Sequence, residues 1–144
     1  MPTPSPVEPQ LLAGADELDR HARALAAAIS ADHPLGVTLV GVLKGSVIFL
    51  ADLARHMTVP TRIELLAVAP YDGAAARTRV VKDLDASVAA EAVVLVTGIV
   101  DTGLTADFLL RHLADGDPAS LRVCALADKR ARRILPLTID YVAI

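Results

Sequence analysis

Runs of aliphatic residues alternate along this chain with stretches of helical period. Asp16 to Ile29 sets Leu18, Ala22, Leu25, Ala26 and Ile29 on one face and Asp19, Arg20 and Arg23 on the other, which predicts an amphipathic helix. Val37 to Val42 is an apolar run short enough for a strand. Leu43-Lys44-Gly45 reads as a turn, with Ser46 as the cap of a second helix reaching about Met57. Thr61 to Ala69 predicts another strand, stopped at Pro70; residues 71–78 are rich in Gly and Ala, and Arg79 to Asp85 reads as a short strand and turn. Val93-Val94-Leu95-Val96 opens a buried strand, which breaks into Asp101-Thr102-Gly103-Leu104-Thr105 and then a helix with apolar residues at 106, 108, 109, 110 and 113. Asp115 to Pro118 is a turn, Leu121 to Ala127 a strand, and Ile139 to Ile144 a last strand. Strands alternating with helices predict an α/β fold, with a parallel sheet wrapped on both faces and ligands at the carboxyl ends of its strands.

Composition narrows this picture. The chain has 144 residues, the size of one domain, and is 53% hydrophobic with a mean hydropathy of +0.48. No run of eighteen apolar residues lacks a charge, so no membrane span is expected. Residues 1–10 hold four prolines and neither a basic nor an apolar signal region; they read as a disordered Pro-rich tail before a single domain over 11–144. A net charge of −3, with no basic run longer than Lys129 to Arg133, argues against nucleic-acid binding. Cys124, the single cysteine, lies in an apolar run and is expected to be buried and inert, which fits a reducing, cytoplasmic setting. The four histidines form no pair at metal-ligand spacing.

The candidate chemistry lies in two strand-to-helix turns that the α/β pattern puts at the same sheet edge. Amides at a helix N-terminus lack internal partners and point at a ligand, so residues 101–105 can form a phosphate cup, with Thr102 and Thr105 adding hydroxyls and Gly103 permitting close approach. The alternative is an ordinary capped turn in which Asp101 only caps the helix. Leu43-Lys44-Gly45 adds a cation and a second set of open amides, so a ligand with two phosphates would suit the pair. Lys129 lies just past the strand that follows the cup. In a chain with only three lysines against eleven arginines, a lysine suggests a preferred compact point charge, although a solvated surface charge is the plain alternative.

Four stretches, Val40 to Leu53, Val81 to Asp85, Val93 to Thr105 and Ala125 to Arg130, resemble in order and spacing the hypoxanthine-guanine phosphoribosyltransferases. The resemblance covers about Leu12 to Ile144 and implies a type I phosphoribosyltransferase fold, with a parallel-core sheet flanked by helices. It implies that Asp101, Thr102, Gly103, Leu104 and Thr105 hold the 5′-phosphate of phosphoribosyl pyrophosphate and that Leu43, Lys44 and Gly45 hold its pyrophosphate. Asp101 would act as the general base near a purine nitrogen. Lys129 would meet the purine's exocyclic oxygen, Tyr141 would stack on the base and Val142 would read its edge. Mg²⁺ would ride on pyrophosphate and ribose oxygens, with no protein ligand singled out in this chain. Tyr71 would belong to a lid, and the chain would form a homodimer or homotetramer.

Three departures go with the resemblance. Where the family has two adjacent acidic residues for the ribose hydroxyls, this chain has Thr97 and Gly98. Two charge-assisted hydrogen bonds are thereby lost, on the order of 1.5–3 kcal/mol each. The C-terminal hood segment that follows in the family is largely absent before Ile144, and the lid stretch from Pro70 to Thr78 is short. Two functions are therefore expected: a purine phosphoribosyltransferase with impaired or altered donor recognition, or a catalytically degenerate homologue that binds a 5′-phosphate ligand or serves as a partner subunit.

Overall fold

A computed structural model describes residues 7–69 and 78–144. Its elements run α1 Ala15–Asp32, β1 Val37–Leu43, α2 Val47–Arg55, β2 Thr61–Val68, β3 Val80–Lys82, β4 Ala92–Val100, α3 Leu104–Ala114, β5 Ser120–Asp128, a 3₁₀ turn Arg130–Arg132, and β6 Tyr141–Val142. The six strands form one sheet in the order β3-β2-β1-β4-β5-β6. All neighbours are parallel except the β2–β3 pair at one edge, where the register shifts at Ala67/Val68. The expected parallel sheet thus carries one antiparallel edge strand, formed by the short Arg79–Asp85 stretch.

The apolar runs are continuous because both faces of the central strands are covered. Side chains alternate along each strand. Leu39, Val94, Val96 and Cys124 meet Leu25 and Ile29 of α1 and Phe49, Leu50 and Leu53 of α2 on one face. Val40, Val93 and Leu95 meet Leu109 and Leu113 of α3, with Leu66 and Val88, on the other. Each of the largest fully buried side chains, such as Leu39, Leu53, Leu95 and Leu109, contributes roughly 1.5–3 kcal/mol of burial. Cys124 is wholly buried, and burial pushes its thiol up to about 12, so it is as inert as its sequence context suggested. Among the described residues no helix is long and apolar enough to cross a membrane.

Three local expectations change. The first helix runs past Ile29 to Asp32 because His33 returns its ring Nδ1 to the Ile29 carbonyl at 2.8 Å. Ser46 does not cap α2: its buried hydroxyl bonds both the amide and the carbonyl of Val42, each at 2.7 Å, and so pins the turn to the end of β1. The last strand keeps only Tyr141 and Val142 as regular ladder, although Ala143 and Ile144 still donate to Ala125 and Leu126 of β5.

Candidate phosphate and nucleotide site

Strand order fixes where a ligand can enter. After β1 the chain crosses to β2 on one side; after β4 it crosses through α3 to β5 on the other. The carboxyl ends of β1 and β4 therefore form a topological switch point, where open α/β sheets leave a crevice. The β1–β4 ladder stops at Gly41–Val96. Beyond it opens a crevice of about 520 Å³, walled by Leu43, Gly45 and Ser46 on one side and by Thr97 to Gly103, Thr105 and Ala106 on the other.

The 101–105 turn forms one end of this crevice. Gly103 is the residue before α3 and has φ +89°, a conformation that disfavours any side chain; an added Cβ would also sit 2.9 Å from Cδ of Arg133. No side chain caps α3. Its first internal bond runs from the Asp107 amide to the Gly103 carbonyl, and Leu104 N–H reaches Thr102 Oγ1 only at 3.4 Å. The amides of Gly103, Thr105 and Ala106 are thus left open among the described residues. The capping alternative for Asp101 does not hold, because its carboxylate turns to Arg132, whose Nε donates to Oδ1 at 2.5 Å. An uncapped helix N-terminus with open amides is suited to an anion.

A strap holds the cup from behind. Ile134 donates its amide to the Thr102 carbonyl at 2.9 Å, and Arg133 Nε donates to the Asp101 carbonyl at 3.4 Å. Arg133 also pairs with Asp128, whose side chain is only 7% exposed, and Arg130 approaches the same carboxylate at 3.3 Å. Of the basic run from Lys129 to Arg133, only Arg133 turns inward; Lys129, Arg130 and Arg132 stay exposed. Arg132 and Arg133 were the residues that sequence reasoning missed. A basic run three residues past a strand was their only signal, and it does not say which carboxylate each arginine would find.

Across the crevice, Leu43 and Lys44 are joined by a cis peptide bond, and Gly45 faces open space. Lys44 is exposed and has no side-chain partner among the described residues. Gly98 packs so close to this turn that a Cβ there would lie 3.2 Å from the Gly45 carbonyl oxygen, so the missing side chain at 98 allows the two turns to approach. Thr97 lines the crevice floor. It is 9% exposed, and its hydroxyl is buried without a hydrogen-bond partner. An orphaned buried hydroxyl costs about 1–3 kcal/mol, and an isosteric apolar side chain relieves that cost. Thr97→Val is therefore expected to raise the melting temperature of the free protein by roughly 3–4 °C, read by calorimetry. A drop would show that the hydroxyl is partnered in solution.

The remaining sequence-derived residues scatter. Lys129 is exposed, and its amide bonds the Val100 carbonyl at 2.9 Å, which sets it beside the end of β4. Tyr141 is not among the crevice-lining residues. Its ring is 7% exposed in the α1–α2 core, and its hydroxyl donates to Asp32 at 2.6 Å and accepts from Arg122 at 2.9 Å. A ring buried there with its polar end satisfied has no face to offer a base, and burial raises the tyrosine's pKa. Val142 pairs with Ala125 in the ladder and does not line the crevice either. Tyr71 lies outside the described residues. Asp101 is the one carboxylate lining the crevice among the described residues and is already paired, and no cluster of three or more potential metal ligands occurs among them. These donors do not fit a metal ion held by the protein itself.

Known proteins resemble this chain in sequence and in fold. The model of the phosphoribosyl transferase domain matches residues 14–144. The hypoxanthine-guanine phosphoribosyltransferase of Mycobacterium avium is 43% identical over 107 residues, which cover 72% of this chain and 53% of the relative. The hypoxanthine phosphoribosyltransferase of Salmonella typhimurium is 34% identical over 109 residues, covering 74% of this chain and 61% of its own length. The chain thus spans about half the length of the first of these relatives. In three dimensions it is similar to a Bacillus anthracis hypoxanthine-guanine phosphoribosyltransferase, with a TM-score of 0.90 and 31% identity over 94% of this chain and 83% of the other. A Trypanosoma cruzi hypoxanthine phosphoribosyl transferase superposes with a TM-score of 0.88 and 31% identity over 99% of this chain and 80% of its own. By sequence and by fold alike, the chain belongs to the phosphoribosyl transferase family, on its hypoxanthine-guanine side.

Proposed function

We propose that the crevice binds phosphoribosyl pyrophosphate and transfers its phosphoribosyl group to a hypoxanthine- or guanine-type purine. The observation that carries this reading is the uncapped 103–106 amide cup facing the Leu43–Gly45 turn across one switch-point crevice. The cup takes the 5′-phosphate and the Leu43–Gly45 turn the pyrophosphate, with Lys44 as its cation. The sugar spans the floor at Thr97 and Gly98. The bond from the anomeric carbon to pyrophosphate breaks, and the electron pair leaves with pyrophosphate. A purine nitrogen forms the new bond, and its proton passes to Asp101, whose Oδ2 has no partner among the described residues. Lys129 meets the exocyclic oxygen of the base. Magnesium enters this reading only as the counter-ion of the pyrophosphate ligand, carried on the ligand's own oxygens. The partner in assembly is a second copy of the chain, and α2 offers Ile48, 75% exposed, for that contact.

A second reading is favoured by the floor itself. Thr97 supplies a single neutral hydroxyl and Gly98 none, so a phosphate ligand can be held while the sugar is poorly fixed for transfer. The chain would then be a binding subunit without turnover. The two are separated by incubating the protein with phosphoribosyl pyrophosphate, magnesium and hypoxanthine or guanine and following nucleotide. Turnover supports the transferase. Absence of nucleotide while ribose 5-phosphate still raises the melting temperature supports the binding subunit, since a ligand at one hundred times its Kd stabilises by about 2.7 kcal/mol. In either case Thr97→Val is expected to weaken ribose 5-phosphate binding, and unchanged affinity would remove Thr97 from the sugar site.

A further inference from the structure

The cup has a feature that works against its ligand: its first residue is an acid. Asp101 lines the crevice beside the open amides, and a carboxylate there repels a phosphate dianion. Arg132 meets this carboxylate through Nε at 2.5 Å, yet the side chains of the pair are 65% and 43% exposed, a setting in which an ion pair adds little to folding stability. Among the other charges nearby, Arg133 and Arg130 pair with the carboxylate of Asp128, Arg133 reaches only the backbone carbonyl of Asp101, and the exposed Lys129 and Lys44 make no side-chain pair with Asp101.

We propose that Arg132 is a positioning residue that makes the cup competent for a dianion: it neutralises Asp101 and anchors one carboxylate oxygen on the strap, leaving the amides to the phosphate. The inference rests on the reading of 101–105 as a phosphate cup. It concerns a residue that would touch Asp101 rather than the ligand.

The test is a cycle of affinities for ribose 5-phosphate, measured by calorimetric titration of the whole chain. Arg132→Ala is expected to weaken binding by roughly tenfold, the size of one nearby uncompensated charge, and less at high salt. Asp101→Asn should bind at least as well as the unmodified protein. In the double variant Asp101→Asn/Arg132→Ala, affinity should return to within about threefold of Asp101→Asn alone. Arg132→Gln keeps the length of the side chain without its charge and should behave as Arg132→Ala does. Unchanged affinity in Arg132→Ala overturns the proposal. So does a double variant as weak as Arg132→Ala, which would mean that Arg132 grips the ligand directly. If the unmodified protein binds neither ribose 5-phosphate nor inorganic phosphate, the cup itself is refuted and the inference falls with it.

Discussion

Asp101→Asn is expected, on the transferase reading, to slow phosphoribosyl transfer by about 10²–10⁴-fold, the usual contribution of a positioned general base. The amide has the size of the carboxylate and can still accept a hydrogen bond from Arg132, but it cannot take up the purine's proton. The cost to folding should be small. The Asp101–Arg132 pair is exposed, and pairs of that kind are worth about 0.2–1 kcal/mol, or no more than about 4 °C in a domain of this size. The loss should appear in kcat and not in the KM for the donor, because removing a negative charge beside the cup does not weaken phosphate binding. Steady-state rates of nucleotide formation and a melting curve on the same preparation check this. A variant that keeps a third or more of the rate would show that Asp101 is not the base. One that unfolds would show that its role is structural.

The sheet was readable because burial on both faces forces long aliphatic runs, and Val93–Val96 and Val37–Val42 allow no other partner surface. The strand-to-helix turn at 101–105 was readable because aliphatic Val93–Val96 runs into Asp-Thr-Gly and then a helical period. The strap was not. Its conformation depends on two ion pairs, Arg132 with Asp101 across 31 residues and Arg133 with Asp128 only five residues back, and a basic run does not say which arginine takes which carboxylate. The packing of Tyr141 was not readable for a related reason. An aromatic near the end of a strand suits a ligand platform or a core position equally well. What decides it is Asp32, at the far end of α1, which takes the hydroxyl. Gly98 reads in sequence as a lost acidic side chain; in three dimensions it is also the contact that lets the Gly45 turn close on β4. Putting an acidic side chain back at 98 would therefore press on the turn expected to bind pyrophosphate.

Asp128→Asn should have the largest effect on stability among the site-supporting residues. The carboxylate side chain is 7% exposed and faces Arg133, itself 16% exposed, with Arg130 at 3.3 Å on its other oxygen. The guanidinium stays charged at any accessible pH, so the variant leaves a nearly buried cation without its counter-charge. Breaking such a pair from one side costs about 3–5 kcal/mol; the residual exposure of Arg133 points to the lower end, which lowers the melting temperature by roughly 10 °C. The cup should loosen as well. Arg133 bonds the carbonyls of Asp101 and Leu137, and its Cδ fills the space that a side chain on Gly103 would need. Ribose 5-phosphate should therefore bind more weakly even at temperatures where the variant is fully folded. Replacing both partners by apolar residues, Asp128→Leu with Arg133→Met, separates the two effects, because an apolar pair of similar volume removes the uncompensated charge. Stability should recover in that double variant while phosphate affinity stays low, since methionine cannot donate to the Asp101 carbonyl. Recovery of both would mean that the pair only fills space behind the cup, and a melting temperature within about 2 °C of the unmodified protein in Asp128→Asn would mean that water already screens the pair.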